Sequence, residues 1–242
     1  MNLKNRFYAF GLHILFSFLL LILALLLVFK LWYPAPLDQA MGVTEIFWFI
    51  LGVDLILGPL LTFVVFNPKK KELKRDLIII LIIQIAAYIY GLYTVAQGRP
   101  VWQVFVVDDI ELVRAIDIQG ESSVYSAKLF NKPQWVAAAY SENPEIANKQ
   151  KQAEMFEGIS LASRPETYKP LETRKDQIRN KLKNLELLQQ FNSPEQVKVV
   201  LGQYPNVVGY LPVKGFSKDM VALFDYNFNA VAIVDLRPWS EN

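Results

Sequence analysis

The sequence predicts a two-part fold: an α-helical membrane part of three transmembrane helices over residues 1–97, and an α+β extracytoplasmic domain with a small, mainly antiparallel sheet over residues 98–242. Three observations predict it. Three apolar runs long enough to cross a bilayer precede residue 97. Charge is divided unevenly: of 25 Lys and Arg only 8 lie in residues 1–97, and of 23 Asp and Glu only 5. The remaining residues mix charge with short β-branched and aromatic runs separated by turn signals, the pattern of an ordinary soluble domain.

The first apolar run extends from Phe7 to Tyr33, behind Lys4 and Arg6. Its length is about twice the usual 7–15-residue core of a signal peptide, so it reads as a retained span. Lys30 can snorkel at its far end, Trp32 and Tyr33 suit a membrane interface, and Pro34 and Pro36 stop the helix. The second run is Val43–Phe66 and the third Leu77–Ala96, closed by the turn signal Gln97-Gly98-Arg99-Pro100.

The loop between the second and third runs holds Lys69, Lys70, Lys71, Lys74 and Arg75, whereas the loop from Pro34 to Gly42 holds no basic residue. Short loops carry the positive-inside signal most faithfully. It puts the N-terminus and the basic loop in the cytoplasm of a bacterial inner membrane. An odd number of spans then puts the C-terminal domain in the periplasm. The basic loop is also a candidate contact for anionic membrane lipid.

Asp54 stands near the middle of the second run. A carboxylate at bilayer depth costs roughly 3 kcal/mol on insertion scales, so it is expected to face protein rather than lipid. With cytoplasmic ends at Phe7, Phe66 and Leu77, Asp54 lies roughly 18 Å deep, Tyr88 about 16 Å and Ser17 about 15 Å. His13 and Gln84 are shallower, both near ~10 Å, and match each other better than either matches Asp54. Pro59 interrupts the hydrogen-bond ladder beside Gly58, with Gly52 and Thr62 on the same helix. Two readings stand. These residues pack three helices together, or Asp54, Gly58, Pro59 and Thr62 form a polar notch presented to a partner membrane helix, with Ser17, Tyr88, His13 and Gln84 as polar neighbours. One acidic residue in three spans makes a poor ion path.

In the C-terminal part, Val101–Val107 reads as a strand, Asp108-Asp109 as a turn and Ile110–Ile118 as a second strand. Residues 131–191 lean helical, most clearly Glu172–Phe191, where Ile178, Leu182, Leu185 and Leu188 form one stripe. Ser193-Pro194-Glu195-Gln196 is a helix start with a capping box, and that helix should run to Leu201 before Gly202. Val207–Val213, Met220–Asp225 and Ala230–Leu236 read as a meander.

The chain has no Cys, which excludes a disulfide framework, a thiol nucleophile and thiolate metal sites. Its one His, His13, lies in the first span, so the exposed part has no Ser-His arrangement. There is no Walker loop, dinucleotide fingerprint or zinc motif. Asp108, Asp109 and Glu111 lack a companion ligand array and read as a solvated strand end; Arg164-Pro165-Glu166-Thr167-Tyr168 reads as a structured loop. No catalytic residues, metal or cofactor are expected. The C-terminal part, with 17 basic and 18 acidic residues, offers no basic face for nucleic acid.

The run Gly52-Val53-Asp54-Leu55-Ile56-Leu57-Gly58-Pro59-Leu60-Leu61-Thr62, leading into Val65-Phe66-Asn67-Pro68-Lys69, resembles the second-span signature of type IV pilin accessory proteins of the TfpX/TfpZ type. The resemblance continues through Arg75-Asp76-Leu77, Gln84, Tyr90-Gly91 and Gly98-Arg99-Pro100-Val101. It returns in Arg164-Pro165-Glu166-Thr167-Tyr168 and Leu236-Arg237-Pro238-Trp239, while residues 119–160 match no known motif. It implies an inner-membrane protein that assists assembly of its cognate major type IV pilin, acting as a chaperone-like accessory, with other inner-membrane pilus components as further candidate partners. Two other classes remain open at this stage. A membrane-bound pilin-modifying transferase would call for acidic or His clusters at the membrane surface, where the 34–42 loop offers only Asp38. A membrane-tethered periplasmic sensor would call for a cytoplasmic output module.

Overall fold

The computed structural model describes residues 3–240; the side chains of Ile46, Phe49, Ile50, Val53 and Asp54 lie outside the described set. The chain divides into two compact units. One comprises Met1–Leu31 and Val43–Gln97, the other Trp32–Gly42 and Gly98–Asn242.

The first unit is helical. α1 (Leu3–Leu26) continues through a wider π-helical stretch, Leu27–Trp32. A five-residue helix, α2 (Leu37–Met41), belongs to the other unit. α3 (Val43–Val65) runs through Pro59 without a break, and α4 spans Leu73–Gly98. Leu3–Trp32 and Leu73–Gly98, of 30 and 26 residues, are long and apolar enough to cross a membrane. Aromatic rings hold α1 to α3. Phe7 and Phe10 meet Phe63 at 5.1 and 5.8 Å, and Phe29 meets Phe47 edge-on at 4.9 Å. Ala24, Val28, Phe47, Leu51, Ile80 and Tyr88 are buried, whereas Leu12, Leu19, Ile56, Ile82 and Ile83 point outward.

The second unit is built on one sheet. Its strands are β1 (Pro100–Val106), β2 (Asp109–Arg114), β3 (Gln134–Ala138), β4 (Tyr168–Lys169), β5 (Val207–Lys214), β6 (Met220–Asp225) and β7 (Ala230–Val234). They lie in the order β4-β3-β1-β2-β5-β6-β7. The expected small sheet is thus a seven-stranded mixed one, because β1 pairs β3 and β2 pairs β5 in parallel. β3 was hidden in a stretch that leans helical. Its sequence, Gln-Trp-Val-Ala-Ala, has two Ala and no clear alternation, and its pairing partner β1 is about thirty residues away in sequence. The meander β5-β6-β7 follows the expected strands closely.

Alternation along the strands separates two faces. Phe105, Leu211, Val213, Met220, Ala222 and Phe224 pack on one face with Leu171 and Ile178. The opposite face carries two clusters. Trp102, Val104 and Val106 pack with Leu161 and Tyr168, and Tyr210, Val221 and Leu223 pack with Leu188 and Val197. The remaining helices, α5 (Pro144–Gln152), α6 (Lys175–Lys181) and α7 (Pro194–Leu201), are short. α7 starts where the sequence predicts, with Ser193 Oγ accepting from the Gln196 amide at 3.2 Å and Pro194 in the first turn, but the Gln196 side chain donates to the Asp235 carbonyl at 3.2 Å instead of closing the expected capping box.

Two expectations are corrected. The stripe Ile178–Leu188 is not one helix. The chain forms a 3-10 turn (Leu171–Arg174), α6, and a second 3-10 stretch (Leu185–Gln190). Between them Lys183 leaves the helix to exchange backbone hydrogen bonds with Tyr210 of β5, at 2.9 and 3.1 Å. Gly209 permits that approach: a Cβ there would sit 3.0 Å from the Lys183 carbonyl and 3.1 Å from Leu182 Cβ. Ile178 and Leu188 consequently fill different cores.

The second correction concerns Trp32 and Tyr33, which the sequence assigns to a membrane interface. Both are buried in the second unit, and Trp32 Nε1 donates to the Leu129 carbonyl at 2.7 Å. The segment after them is more than a connector. Leu37 and Ala40 enter the sheet's core, and the Ala40 carbonyl accepts from Ser217 and Lys218 amides at 2.8 and 3.2 Å.

Candidate functional site

Three helices of the first unit meet at a chain of polar side chains. α1 supplies His13 and Ser17, one helical turn apart on one face; α3 supplies Thr62; α4 supplies Gln84. His13 Nδ1 lies 2.6 Å from Thr62 Oγ1, and His13 Nε2 is hydrogen-bonded to Gln84 Oε1. Gln84 Nε2 donates to Ser17 Oγ at 2.8 Å. The amide oxygen can only accept, so Nε2 carries the ring proton, and in the neutral ring Nδ1 accepts from the Thr62 hydroxyl. One turn along α4, the Tyr88 hydroxyl donates to the Leu20 carbonyl at 2.9 Å.

Gly58 makes room for this chain. A Cβ there would overlap Gln84 Oε1 and lie 2.8 Å from Gln84 Cδ and 3.0 Å from His13 Nε2. At Gly52, a turn and a half away, nothing among the described residues lies within 4 Å of where a Cβ would be. Gly58, Pro59 and Thr62 are all buried within the unit. Asp54 lies in α3, and its side chain is outside the described residues. His13 and Gln84, at similar depth in the sequence reading, are therefore joined directly. Ser17 and Tyr88, matched there to Asp54, hold Gln84 and the α1 backbone among the described residues.

Beside this chain runs an open apolar groove of about 640 Å³. Tyr8, Leu12, Phe16, Phe66, Leu77 and Leu81 form its walls, with His13 and Thr62 also lining it. Sequence reading missed the groove because no periodicity marks it; its walls come from α1, Thr62 of α3, Phe66 just past α3, and Leu77 and Leu81 of α4. At that turn the five basic residues are exposed. Lys70 pairs with Asp76, and Arg75 Nη2 is 2.6 Å from Glu72 Oε2. Lys69, Lys71 and Lys74 form no ion pair among the described residues.

In the second unit two of the three sequence-flagged acids, Asp109 and Glu111, are occupied. Asp109 binds Lys214 Nζ at 2.6 Å, and Glu111 accepts from Ser160 Oγ at 2.7 Å. Lys214 loses some basicity to burial, but the hydrogen bond from its ammonium to Asp109 and the charges of Asp109, Glu111 and Asp108 raise it overall. The Tyr140 hydroxyl, hydrogen-bonded to Glu154 and partly desolvated, is pushed up to about 12. No cluster of three or more metal-ligating side chains occurs among the described residues. The Arg164–Tyr168 motif is built into the fold. Thr167 Oγ1 donates to the Arg164 carbonyl at 2.7 Å, and Tyr168 stacks edge-on with Trp102 and Tyr125. Burial, then the nearby charges of Glu166 and Glu111, push the Tyr168 hydroxyl well up. The closing motif is similarly anchored: Trp239 Nε1 donates to Asp219 Oδ2 at 2.9 Å, and the Arg237 amide donates to Asn192 Oδ1 at 2.7 Å.

Known proteins resemble this chain along almost its whole length. The family model described as "Fimbrial assembly protein FimB" matches residues 1–42, which cover α1 and α2. The chain is 30% identical over 240 residues to the fimbrial assembly protein of serogroup E1 of Dichelobacter nodosus, covering 93% of each. It is 30% identical over 239 residues to the serogroup I protein of the same organism, again with 93% of each chain covered. A shorter match, 42% over 110 residues, joins 45% of this chain to 84% of the protein of serogroups C1 and C2. No solved structure matches. The chain belongs to the fimbrial assembly protein family, a family of type IV pilus accessory and assembly proteins.

Proposed function

We propose that this protein is an inner-membrane accessory that helps its cognate major type IV pilin assemble into pili. The observation that carries this reading is the likeness to proteins named for fimbrial assembly, which spans both units rather than one. In this reading three helices cross the membrane, the basic α3–α4 turn lies in the cytoplasm, and the sheet unit lies in the periplasm. The outward-facing Leu and Ile side chains of the helical unit support it, because such a surface is at ease in lipid and costly in water.

A pilin subunit awaiting assembly offers a hydrophobic helix in the membrane and a folded head outside it. A helper needs a surface for each. The apolar groove along α1 is sized and lined for a helix or part of one, with the hydrogen-bonded pair Thr62 and His13 in its wall. Asp54 of α3 is the candidate for recognition of the partner helix. The sheet unit is the candidate for the head. The role is that of a chaperone-like helper, with no reaction catalysed and no cofactor required.

The direct experiment is co-purification. Tagged full-length protein extracted in mild detergent should bring down the major pilin of the same cell. Recovery of the protein without pilin, from cells in which both are abundant, would contradict the reading.

A further inference from the structure

Trp32 is the last residue of the first long apolar helix, and Arg99 follows Gly98, the last residue of α4. Both side chains are buried, and both reach one loop of their own unit. Trp32 Nε1 donates to the Leu129 carbonyl at 2.7 Å, and Arg99 Nη2 reaches the Ala127 carbonyl at 3.5 Å. The loop covers residues 118–133, ahead of β3, and contains neither helix nor strand. Its inner side is anchored. The Tyr125 ring meets Trp102 and Tyr168 edge-on at 5.9 and 5.7 Å, and Ala127 packs against the same cluster.

The tip of the loop is apolar and basic. Leu129 is 45% and Phe130 70% exposed. Lys128 and Lys132 beside them are exposed and form no ion pair among the described residues. A single apolar side chain on a surface is ordinary. The place of this pair sets it apart. A helix that crosses hydrocarbon ends at the lipid headgroups, and the next Cα is about 3.8 Å further on. Trp32 and Arg99 are thus held at headgroup level, and the loop bonded to both is held there with them. Met155 and Phe156 are exposed neighbours too, but Glu154 and Glu157 flank them and no hydrogen bond ties them to the end of a long apolar helix among the described residues.

We propose that the Lys128–Lys132 tip docks on the lipid bilayer, in the leaflet where these two helices end. Leu129 and Phe130 enter the upper acyl region, and the ammonium groups of Lys128 and Lys132 stay at the headgroup phosphates. Leu and Phe with Lys is the composition of segments that lie in this layer, where apolar bodies sink and charged ends remain wet. The indole of Trp32 would suit the same layer, but the loop covers it, so Leu129 and Phe130 make the lipid contact in its stead. Docking rests on the reading that Leu3–Trp32 and α4 cross the membrane. It gives the sheet unit a lipid contact of its own, beyond its chain connections. A sheet unit held at the bilayer surface is within reach of a partner head that is itself tethered to a membrane helix.

The chain has no cysteine, so a single one introduced by substitution carries a spin label at one known place. Full-length protein in nanodiscs of phosphatidylethanolamine and phosphatidylglycerol leaves both membrane faces open to two colliders: oxygen, which concentrates in lipid, and a nickel chelate, which stays in water. Phe130→Cys should give an oxygen-to-nickel accessibility ratio severalfold above that of Phe156→Cys, and Leu129→Cys, a second position on the tip, should agree. Ile82→Cys, on the outward side of α4, should read as lipid throughout. Lys128→Glu together with Lys132→Glu should lower the ratio at position 130 toward that at 156. The proposal is overturned if the labels at 129 and 130 read as water while the label at 82 reads as lipid, if neither collider reaches them, as in a protein contact, or if the charge reversal leaves the ratio unchanged. A label at 82 that reads as water would refute α4 as a membrane span, and the docking with it.

Discussion

The amide of Gln84 occupies the space that a side chain at Gly58 would need. The nearest atoms to a Cβ at Gly58 are Gln84 Oε1 and Cδ, followed by His13 Nε2 at 3.0 Å. The family-like Gly58-Pro59 motif of α3 is thus tied to two polar residues on two other helices. Its glycine serves the internal polar chain of the helical unit.

Gly58→Ala should therefore force Gln84 away from His13, weaken the three-helix junction by about 1–3 kcal/mol and lower the protein's abundance and protease resistance in membranes. Gly52→Ala should be neutral or gain up to about 1 kcal/mol, since its Cβ meets nothing among the described residues and Ala is the better helix former. Limited proteolysis of both variants in the same membrane preparation checks the contrast. Equal effects at the two glycines would remove the packing role given to Gly58.

The β6–β7 turn carries a pH dependence. Burial nudges the Asp225 carboxyl upward, but amides of Asn229 and Asn227 and the charge of Lys175 outweigh it and hold it below the ordinary carboxylate range. A carboxyl lowered on folding adds stability that is present at neutral pH and is lost as acid protonates the folded form. Thermal unfolding of the full-length protein in detergent should show that Asp225→Asn lowers the midpoint at pH 7 and narrows its gap from the wild type below the carboxylate range. A gap that persists unchanged into acid would assign the turn's stability to contacts other than this charge.

How far the sequence reveals the molecule depends on the kind of signal. The apolar runs, the Ser193 cap and the β5-β6-β7 meander are local patterns and are read directly. β3 is not, because Ala137 and Ala138 carry little strand preference and the strand is fixed by its parallel pairing with β1. The stripe from Ile178 to Leu188 misleads because its break comes from outside it, at the Lys183–Tyr210 bridge. Trp32 and Tyr33 look like interface anchors by composition, and only the packing of residues 32–42 into the sheet unit reveals them as core. At the polar chain the sequence supplies the members and their depths. Thr62 joins it by rotation of α3 about its axis, which depth does not encode.

Membrane orientation is the next test. The five basic residues of the α3–α4 turn predict that a phosphatase fused at Lys71 is inactive, whereas one fused behind Asn242 is active. The opposite pattern would put the sheet unit in the cytoplasm and contradict the proposed contact with a pilin head.

Asp54 separates recognition from packing. Asp54→Asn keeps shape and hydrogen bonding and should retain pilin. Asp54→Leu should lose pilin co-purification while the protein stays at normal level in the membrane. A Leu variant that falls in abundance and binds pilin only in proportion would mark Asp54 as a packing residue. One that is abundant and retains pilin fully would leave it without a role in either.

The most direct test of the assembly role is surface piliation in a strain that lacks this protein but keeps its own pilin gene. Sheared surface pilin should fall severalfold while the pilin transcript is unchanged, and the intact gene supplied in trans should restore it. Normal surface pilin in the deletion strain, with its own pilin expressed, would contradict the account.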